Sequence, residues 1–343
     1  MNTIIDYNMS KDYCSDWTPV HALRELAQNA IDSGQNYTCD YSDDEVRIVT
    51  RNATLPMAVF TLGVSQKSEG AIGKYGEGFK IAMLVLTREG LDPVIVSGNL
   101  RITGLFSPHE VTGVDTFKLV LTEEEVALNT IDFTCSNSGI DLAQLAEEVT
   151  AFSNDPLAKT NTMDLLHDRI GFVYVNGLLV TKDSNLKFGY NISPDLIELN
   201  RDRRSISGLS LALGKLHAER ASDSVKLSLL YDLLVQGAYD VTDVRWFLTY
   251  TQKKWMADAF RRQYGDIGIQ RIGSDGRGIT VTDNLFGILN GNIEEVKIID
   301  PEAPEQVLNQ FVIDNRRFMR RDIRVRFDKL IEKSKGWSKC PTY

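Results

Sequence analysis

WTPVHALRELAQNAIDSG, residues 17–34, carries the signals for both ends of a helix. Thr18 is a residue type that caps, Pro19 suits a first helical position where no amide hydrogen is needed, and Gly34 can take the left-handed conformation that closes the element. At about 100° per residue, Glu25, Asn29 and Asp32 fall within about 60° of one another, opposite Val20, Leu23, Leu26, Ala27, Ala30 and Ile31. One face packs and the other presents two carboxylates and an amide. Polar faces of this kind are ordinarily just solvated, so a second element is needed before this one carries chemistry.

Outward from that helix, EVRIVT (45–50) is a β-rich run that predicts a strand. An irregular stretch follows, then the glycine-rich TLGVSQKSEGAIGKYGEGFK (61–80) and the apolar run IAMLVLTREG (81–90), a helix closed by Gly90. VIVSG (94–98), LRITGLF (100–106) and DTFKLVL (115–121) read as strands, and Asn176-Gly177 between two apolar pairs signals a hairpin. Beyond Arg204 the pattern turns helical over 207–220, 222–237 and 241–263. A shorter β/α stretch comes next: GITV as a strand, DNLFGILN as a capped helix, EEVKIID as another strand, and a helical, basic tail over 304–337. The expectation is an α+β chain of two domains. Residues 1–205 form an α/β sandwich on a mixed, mainly antiparallel sheet, and 206–343 form a mostly helical α/β domain.

Bulk properties exclude several classes. With 43% hydrophobic and 25% charged residues and 9 prolines, the chain is globular rather than disordered or fibrous. Cys14, Cys39, Cys135 and Cys340 are scattered without a CxxC pair, and the 4 histidines are dispersed, so neither a zinc site nor a disulfide framework is expected. MNTIIDYNMS lacks the features of a signal peptide, and no long uncharged apolar run occurs, which predicts a soluble cytoplasmic protein with no membrane contact. The net charge of −9 argues against wholesale binding to nucleic acid. Yet Arg316, Arg317, Arg320, Arg321, Arg324 and Arg326, with one aspartate among them, make a local +5. Such a cluster suits phosphates or acidic partners, or else lies on a solvated helix face paired with the acidic body.

Beside a nucleoside triphosphate the polar trio makes chemical sense. A carboxylate such as Glu25 can orient and deprotonate water for attack on a γ-phosphate, and the amide oxygen of Asn29 is a hard ligand suited to Mg²⁺. Gly73, Gly76 and Gly78, directly before an apolar helix, let backbone amides approach phosphate oxygens closely, with Lys67, Lys74 and Lys80 as nearby cations. Taken alone, that loop could equally be a flexible turn.

Order and spacing tie the two segments together. ELAQNAID resembles the N box of GHKL ATPases, the superfamily of gyrase B subunits, heat-shock chaperones, sensor histidine kinases and MutL proteins. LGVSQKSEGAIGKYGEGFK resembles that family's lid and second glycine box. The resemblance covers about residues 15–120, with weaker echoes to about 205. It implies the Bergerat ATP-binding fold, with Glu25 as general base, Asn29 as Mg²⁺ ligand and Asp32 holding the polar network. Gly73, Lys74, Tyr75, Gly76, Glu77, Gly78, Phe79 and Lys80 would surround the phosphates, with Lys67 ahead of them. It also implies a threonine at the adenine, which here is Thr116. One departure stands out: where the family has Asp-x-Gly-x-Gly, this chain reads TRNATLP (50–56), which leaves Asn52 as a neutral acceptor for the base. Arg201, Arg203 and Arg204 stand where a γ-phosphate sensor would, and a salt-bridged turn around Asp202 is the alternative.

The functional expectation is a Mg²⁺-dependent, slow ATPase whose nucleotide drives a conformational change controlling contact with a protein or nucleic acid. The alternative is a degenerate or nucleotide-gated binding module without significant turnover. No phosphoacceptor hairpin precedes Trp17, and the length is short for a chaperone's middle and dimerisation regions. The overall expectation is therefore a compact stand-alone member, as in bacteria and their phages, cytoplasmic in its host and with a homodimer as a candidate assembly.

Overall fold

A computed structural model describes residues 2–61, 77–153, 164–199, 206–265, 268–271, 278–291, 293, 311–312, 319 and 321–334. The chain divides into two compact units, Met1–Ala212 and Leu213–Tyr343. The texture of the sequence changes near 205; the structural division falls a few residues later, inside a helix.

In the first unit, helix α1 runs Pro19–Asp32. The Thr18 amide donates to His21 Nδ1 at 3.1 Å, and Gly34 adopts φ +64° just past the end. Val20, Leu23, Leu26, Ala27, Ala30 and Ile31 are buried as their spacing predicts, joined by Ala22 and Gln28. Helix α2, Gly78–Arg88, is nearly all apolar and contributes Ala82 through Leu86 to the same core. Both helices cover one face of a five-stranded sheet made of β1 (Asn2–Ser10), β2 (Tyr37–Tyr41), β3 (Glu45–Arg51), β4 (Val94–Pro108) and β5 (Asp115–Ser136).

All pairings in this sheet are antiparallel, and β5 organises them. Its first half takes β1, with Asp6 opposite Lys118, and its second half takes β3, with Ile48 opposite Phe133, while β4 runs along its other edge. β2 closes the outer side of β3. The two short strands expected at 94–98 and 100–106 are one strand, irregular at Gly98, and the strand expected at 115–121 continues to Ser136. The signal fails because Gly98 pairs with Leu128 but Leu100 pairs with Glu123, so that residues 124–127 bow out of the ladder. There, period-two alternation gives way to a fully exposed run. β1 escapes the sequence reading because only Tyr7 and Met9 of its nine residues are buried.

Alternation then fixes the two faces of the sheet. Val46, Ile48 and Thr50 of β3, Ile95, Ser97 and Ile102 of β4, and Phe117, Leu119, Leu121, Phe133 and Cys135 of β5 are buried. The opposite face carries ion pairs, Arg47 with Asp132 and Asp6 with Lys118.

The unit continues through α3 (Leu142–Glu148) into a second sheet of β6 (Asp164–Leu166), β7 (Phe172–Val175), β8 (Leu178–Lys182) and β9 (Gly189–Ile192), in the order β6-β9-β7-β8. The expected hairpin is present between β7 and β8, with Asn176 at φ +49° and Gly177 at φ +81°. Arg24 of α1 donates to the Leu179 carbonyl at 2.8 Å and lies 3.4 Å from Glu148, tying α1 to β8 and α3. A short pair, β10 (Glu198–Leu199) with β11 (Ile206–Ser207), ends the strands of this unit.

Among its described residues the second unit is mainly helical with a small parallel pair, β12 (Ile269–Arg271) with β13 (Ile279–Val281). Among the described residues it carries helices α4 (Leu209–Arg220), α5 (Ser224–Val235), α6 (Tyr250–Tyr264), α7 (Asp283–Leu289) and α8 (Arg321–Ser334), the unit boundary falling within α4. The helix expected at 241–263 starts only at Tyr250. Thr249 caps it by accepting from the Gln252 amide at 3.3 Å, and the preceding residues form two 3₁₀ turns, Tyr239–Val241 and Val244–Trp246. The expected strand EEVKIID lies outside the described residues. No helix among the described residues is long and apolar enough to cross a membrane.

Candidate functional site

The polar face of α1 projects Glu25, Asn29 and Asp32, all half-buried, beside the buried stripe that holds the helix on the sheet. The small and aliphatic residues Val20, Ala22, Leu23, Leu26, Ala27 and Ala30, spread over about three helical turns, let α1 pack closely beside α2, and the start of α2 meets this face. A Cβ placed on Gly78 would collide with Oε2 of Glu25 and stand 3.2 Å from its Cδ. Only the absence of a side chain at 78 lets the backbone pass over that carboxylate. The two motifs singled out in the sequence thus converge at Glu25 and Gly78.

The ends of the glycine-rich stretch are held together by described residues. The Lys80 side chain is fully buried, and its Nζ donates to the Thr61 carbonyl at 2.8 Å. Burial pushes the Lys80 pKa down, with the charge of Glu77 acting in the opposite direction. Phe79 is buried and meets Phe60 edge-on, ring centroids 6.2 Å apart. Residues 60–61 and 79–80 are therefore neighbours. Lys80 anchors that junction instead of extending its cation into solvent, and Phe79 is a core residue. Glu77 is exposed at the α2 N-terminus. Lys67, Gly73, Lys74, Tyr75 and Gly76 lie outside the described residues, as do Arg201, Arg203 and Arg204.

Thr116 does not join this cluster. It alternates with Phe117, so it faces the side of the sheet opposite the α1 and α2 core, where its hydroxyl donates to Asp6 Oδ2 at 3.1 Å. Asp6 also accepts from the Asn8 amide and pairs with Lys118 at 3.2 Å. Burial raises the Asp6 pKa, and these three donors with the Lys118 charge outweigh that and bring it below its ordinary value. Asn52 follows β3 in the left-handed conformation, φ +55°; its side chain is exposed and its amide donates to the Asn129 carbonyl at 2.9 Å.

Three polar groups on the covered side escaped the sequence reading. Thr50 of β3 and Ser97 of β4 are both buried and flank Ile131 of β5, each opposite it in register. Ser97 Oγ accepts from the Leu55 amide at 2.7 Å, fastening the 52–56 loop over the sheet. Gln28, fully buried on α1, lies 3.5 Å from Asp32 Oδ2. The alternation of EVRIVTR does put Thr50 on the face of Val46 and Ile48, a signal that was present but unread.

Of the basic tail, α8 places Arg326 in solvent and turns Arg324 back to the Met319 carbonyl at 3.0 Å. Arg316, Arg317, Arg320 and the Arg321 side chain lie outside the described residues. Among the described residues no group of three His, Cys, Asp or Glu side chains is arranged to hold a metal ion on its own. Cys39 and Cys135 are buried thiols, and burial pushes Cys135 up to about 12. A cleft of about 360 Å³ lies along β2, lined by Gln35, Tyr37, Cys39 and Ala151; its lining includes none of the α1 trio.

No family model matches the chain. It is similar to an uncharacterized protein of Mycoplasma pneumoniae, 25% identical over 231 residues, which cover 59% of this chain and 91% of that protein.

Proposed function

We propose that the first unit binds Mg²⁺-ATP against the polar face of α1 in the manner of GHKL ATPases and hydrolyses it slowly, using the nucleotide to control contact with a macromolecular partner. The close approach of Gly78 to the Glu25 carboxylate carries this reading, because it brings the helix and the glycine segment to one point. Glu25 would accept a proton from the attacking water as the bond between the γ-phosphorus and the ADP oxygen breaks. Asn29 would hold Mg²⁺ through its amide oxygen, with Asp32 supporting it alongside Gln28; the donor set suits a cation that shares its coordination with phosphate and water. That ion would screen the phosphate charge. Thr50 and Ser97 supply neutral polar groups on the covered face of the sheet, where the family's aspartate is missing. The basic residues of the tail, Arg324 and Arg326 among them, are the proposed contact for a nucleic acid or acidic protein.

Glu25→Ala tests the chemistry. ATP turnover should fall by roughly 10²–10⁴-fold, while calorimetric binding of a non-hydrolysable analogue persists; turnover at the parental rate would sink the assignment. A second reading, a nucleotide-gated module without turnover, is favoured by Arg51 and Asn52 standing where the family's adenine-binding aspartate and glycines belong. Binding of ATP or GTP with no phosphate release from the parental protein would select it, and absence of any nucleotide binding would defeat both readings.

A further inference from the structure

Helix α6 and the 3₁₀ turn before it carry an arrangement that the nucleotide site does not use. Met256, Ala257 and Phe260 are buried and fix the inner side of α6. At about 100° per residue, Tyr250, Lys254 and Arg261 fall in one outward row about 40° wide, and Trp255 and Arg262 form a second row. The Arg262 guanidinium stands 5.7 Å from the centre of the Trp255 ring. Just upstream, Arg245 lies 4.5 Å over the Trp246 ring. Trp246 is 65% exposed, Tyr250 73% and Phe247 37%. Asp258, which falls between the two rows, is paired with Arg261 at 3.2 Å.

Large aromatic rings this exposed, interleaved with cations in a chain whose net charge is −9, need a partner that satisfies both. We infer that this surface of the second unit binds single-stranded nucleic acid, with unpaired bases stacking on Trp246 and Tyr250 while Lys254 and Arg262 meet the phosphates. Unpaired bases offer free ring faces, whereas the bases of a duplex are already stacked on one another, so a single strand fits and a duplex does not. Protein interfaces also favour Trp, Tyr and Arg, but they are depleted in lysine, which occupies the centre of the first row here. The α6 helix is roughly 22 Å long at 1.5 Å per residue, enough for a few nucleotides. This inference is independent of the chemistry at α1 and uses none of the tail arginines.

The test is fluorescence anisotropy of the full chain with labelled oligo(dT), oligo(U) and a duplex of equal length, at several salt concentrations. Oligo(dT) or oligo(U) should bind more tightly than the duplex, and the affinity should fall as salt rises. Trp246→Ala with Tyr250→Ala should weaken single-strand binding roughly tenfold or more, and Lys254→Glu with Arg262→Glu should flatten the salt dependence. Because these side chains are exposed, thermal melts of the variants should match the parent. No binding at low salt, equal or better binding of the duplex, or binding that survives these changes and disappears with Arg324→Glu and Arg326→Glu would each overturn the inference. So would light scattering that shows the patch buried between two copies of the chain, with oligo(dT) unable to separate them.

Discussion

At the scale of single residues, Gly78 is the position where sequence and chemistry are most tightly linked. Gly78→Ala places a methyl group on the Glu25 carboxylate and must displace it. A displacement of about 1 Å is enough to cost about a hundredfold in rate, so phosphate release should fall by that order. Combining it with Glu25→Ala should add little further loss, since both act on one group; additive losses would show that Gly78 acts elsewhere. Glu25 and Gly78 were legible in the sequence because helix spacing and glycine placement are local properties. Thr116 was not: the alternation in DTFKLVL says that Thr116 and Phe117 face opposite sides, but not which side the helices cover. That depends on strand pairing tens of residues away, with β1 and with β4. Ser97 stayed hidden for the same reason, since it meets Ile131 only through the register of β4 and β5, whereas the alternation of EVRIVTR already sets Thr50 on the face of Val46 and Ile48.

At the scale of elements, the junction of residues 60–61 with 79–80 makes a distinct prediction. Lys80→Met keeps the aliphatic stem but leaves the Thr61 carbonyl without its donor, which should cost about 1–3 kcal/mol in denaturant unfolding of the first unit. The salt dependence of nucleotide binding in this variant reads out the rest of the ammonium: unchanged, Lys80 acts through the Thr61 carbonyl; lost, Lys80 is a direct phosphate contact. The β7–β8 hairpin supplies a second case. Gly177 combines φ +81° with Thr150 Oγ1 lying 2.7 Å from any added Cβ, so Gly177→Ala should lower stability by roughly 1–3 kcal/mol in the same measurement. This hairpin and α1 could be read directly because their turn and cap residues act within a few positions. The α6 boundary was misread because apolar residues at 241, 244 and 248 keep helical spacing through two 3₁₀ turns, and only the Thr249–Gln252 cap marks the true start.

At the scale of the whole molecule, two units with separate cores should unfold in two steps by calorimetry. His217, on α4 in the second unit, provides a marker for one of them. Burial pushes its imidazole down to about 4, with Asp240 raising and Arg220 lowering it by smaller amounts. Between about 4 and the ordinary 6.5 the unfolded chain binds the proton and the folded one does not, so stability is lost as pH falls through that window and is fully retained above it. The loss should approach about 3 kcal/mol, confined to the second unit's transition and reduced in His217→Leu. A first-unit transition that moves equally would place the titrating group elsewhere.

Where Leu100 pairs with Glu123 and Gly98 with Leu128, the surplus residues 124–127 hang outside the ladder, exposed along their length. They contribute nothing to the packing beneath, which makes them a natural attachment point. A fluorophore or short epitope inserted between Glu125 and Val126 should leave the fold intact and give a handle for watching the first unit in a cell extract or on a surface.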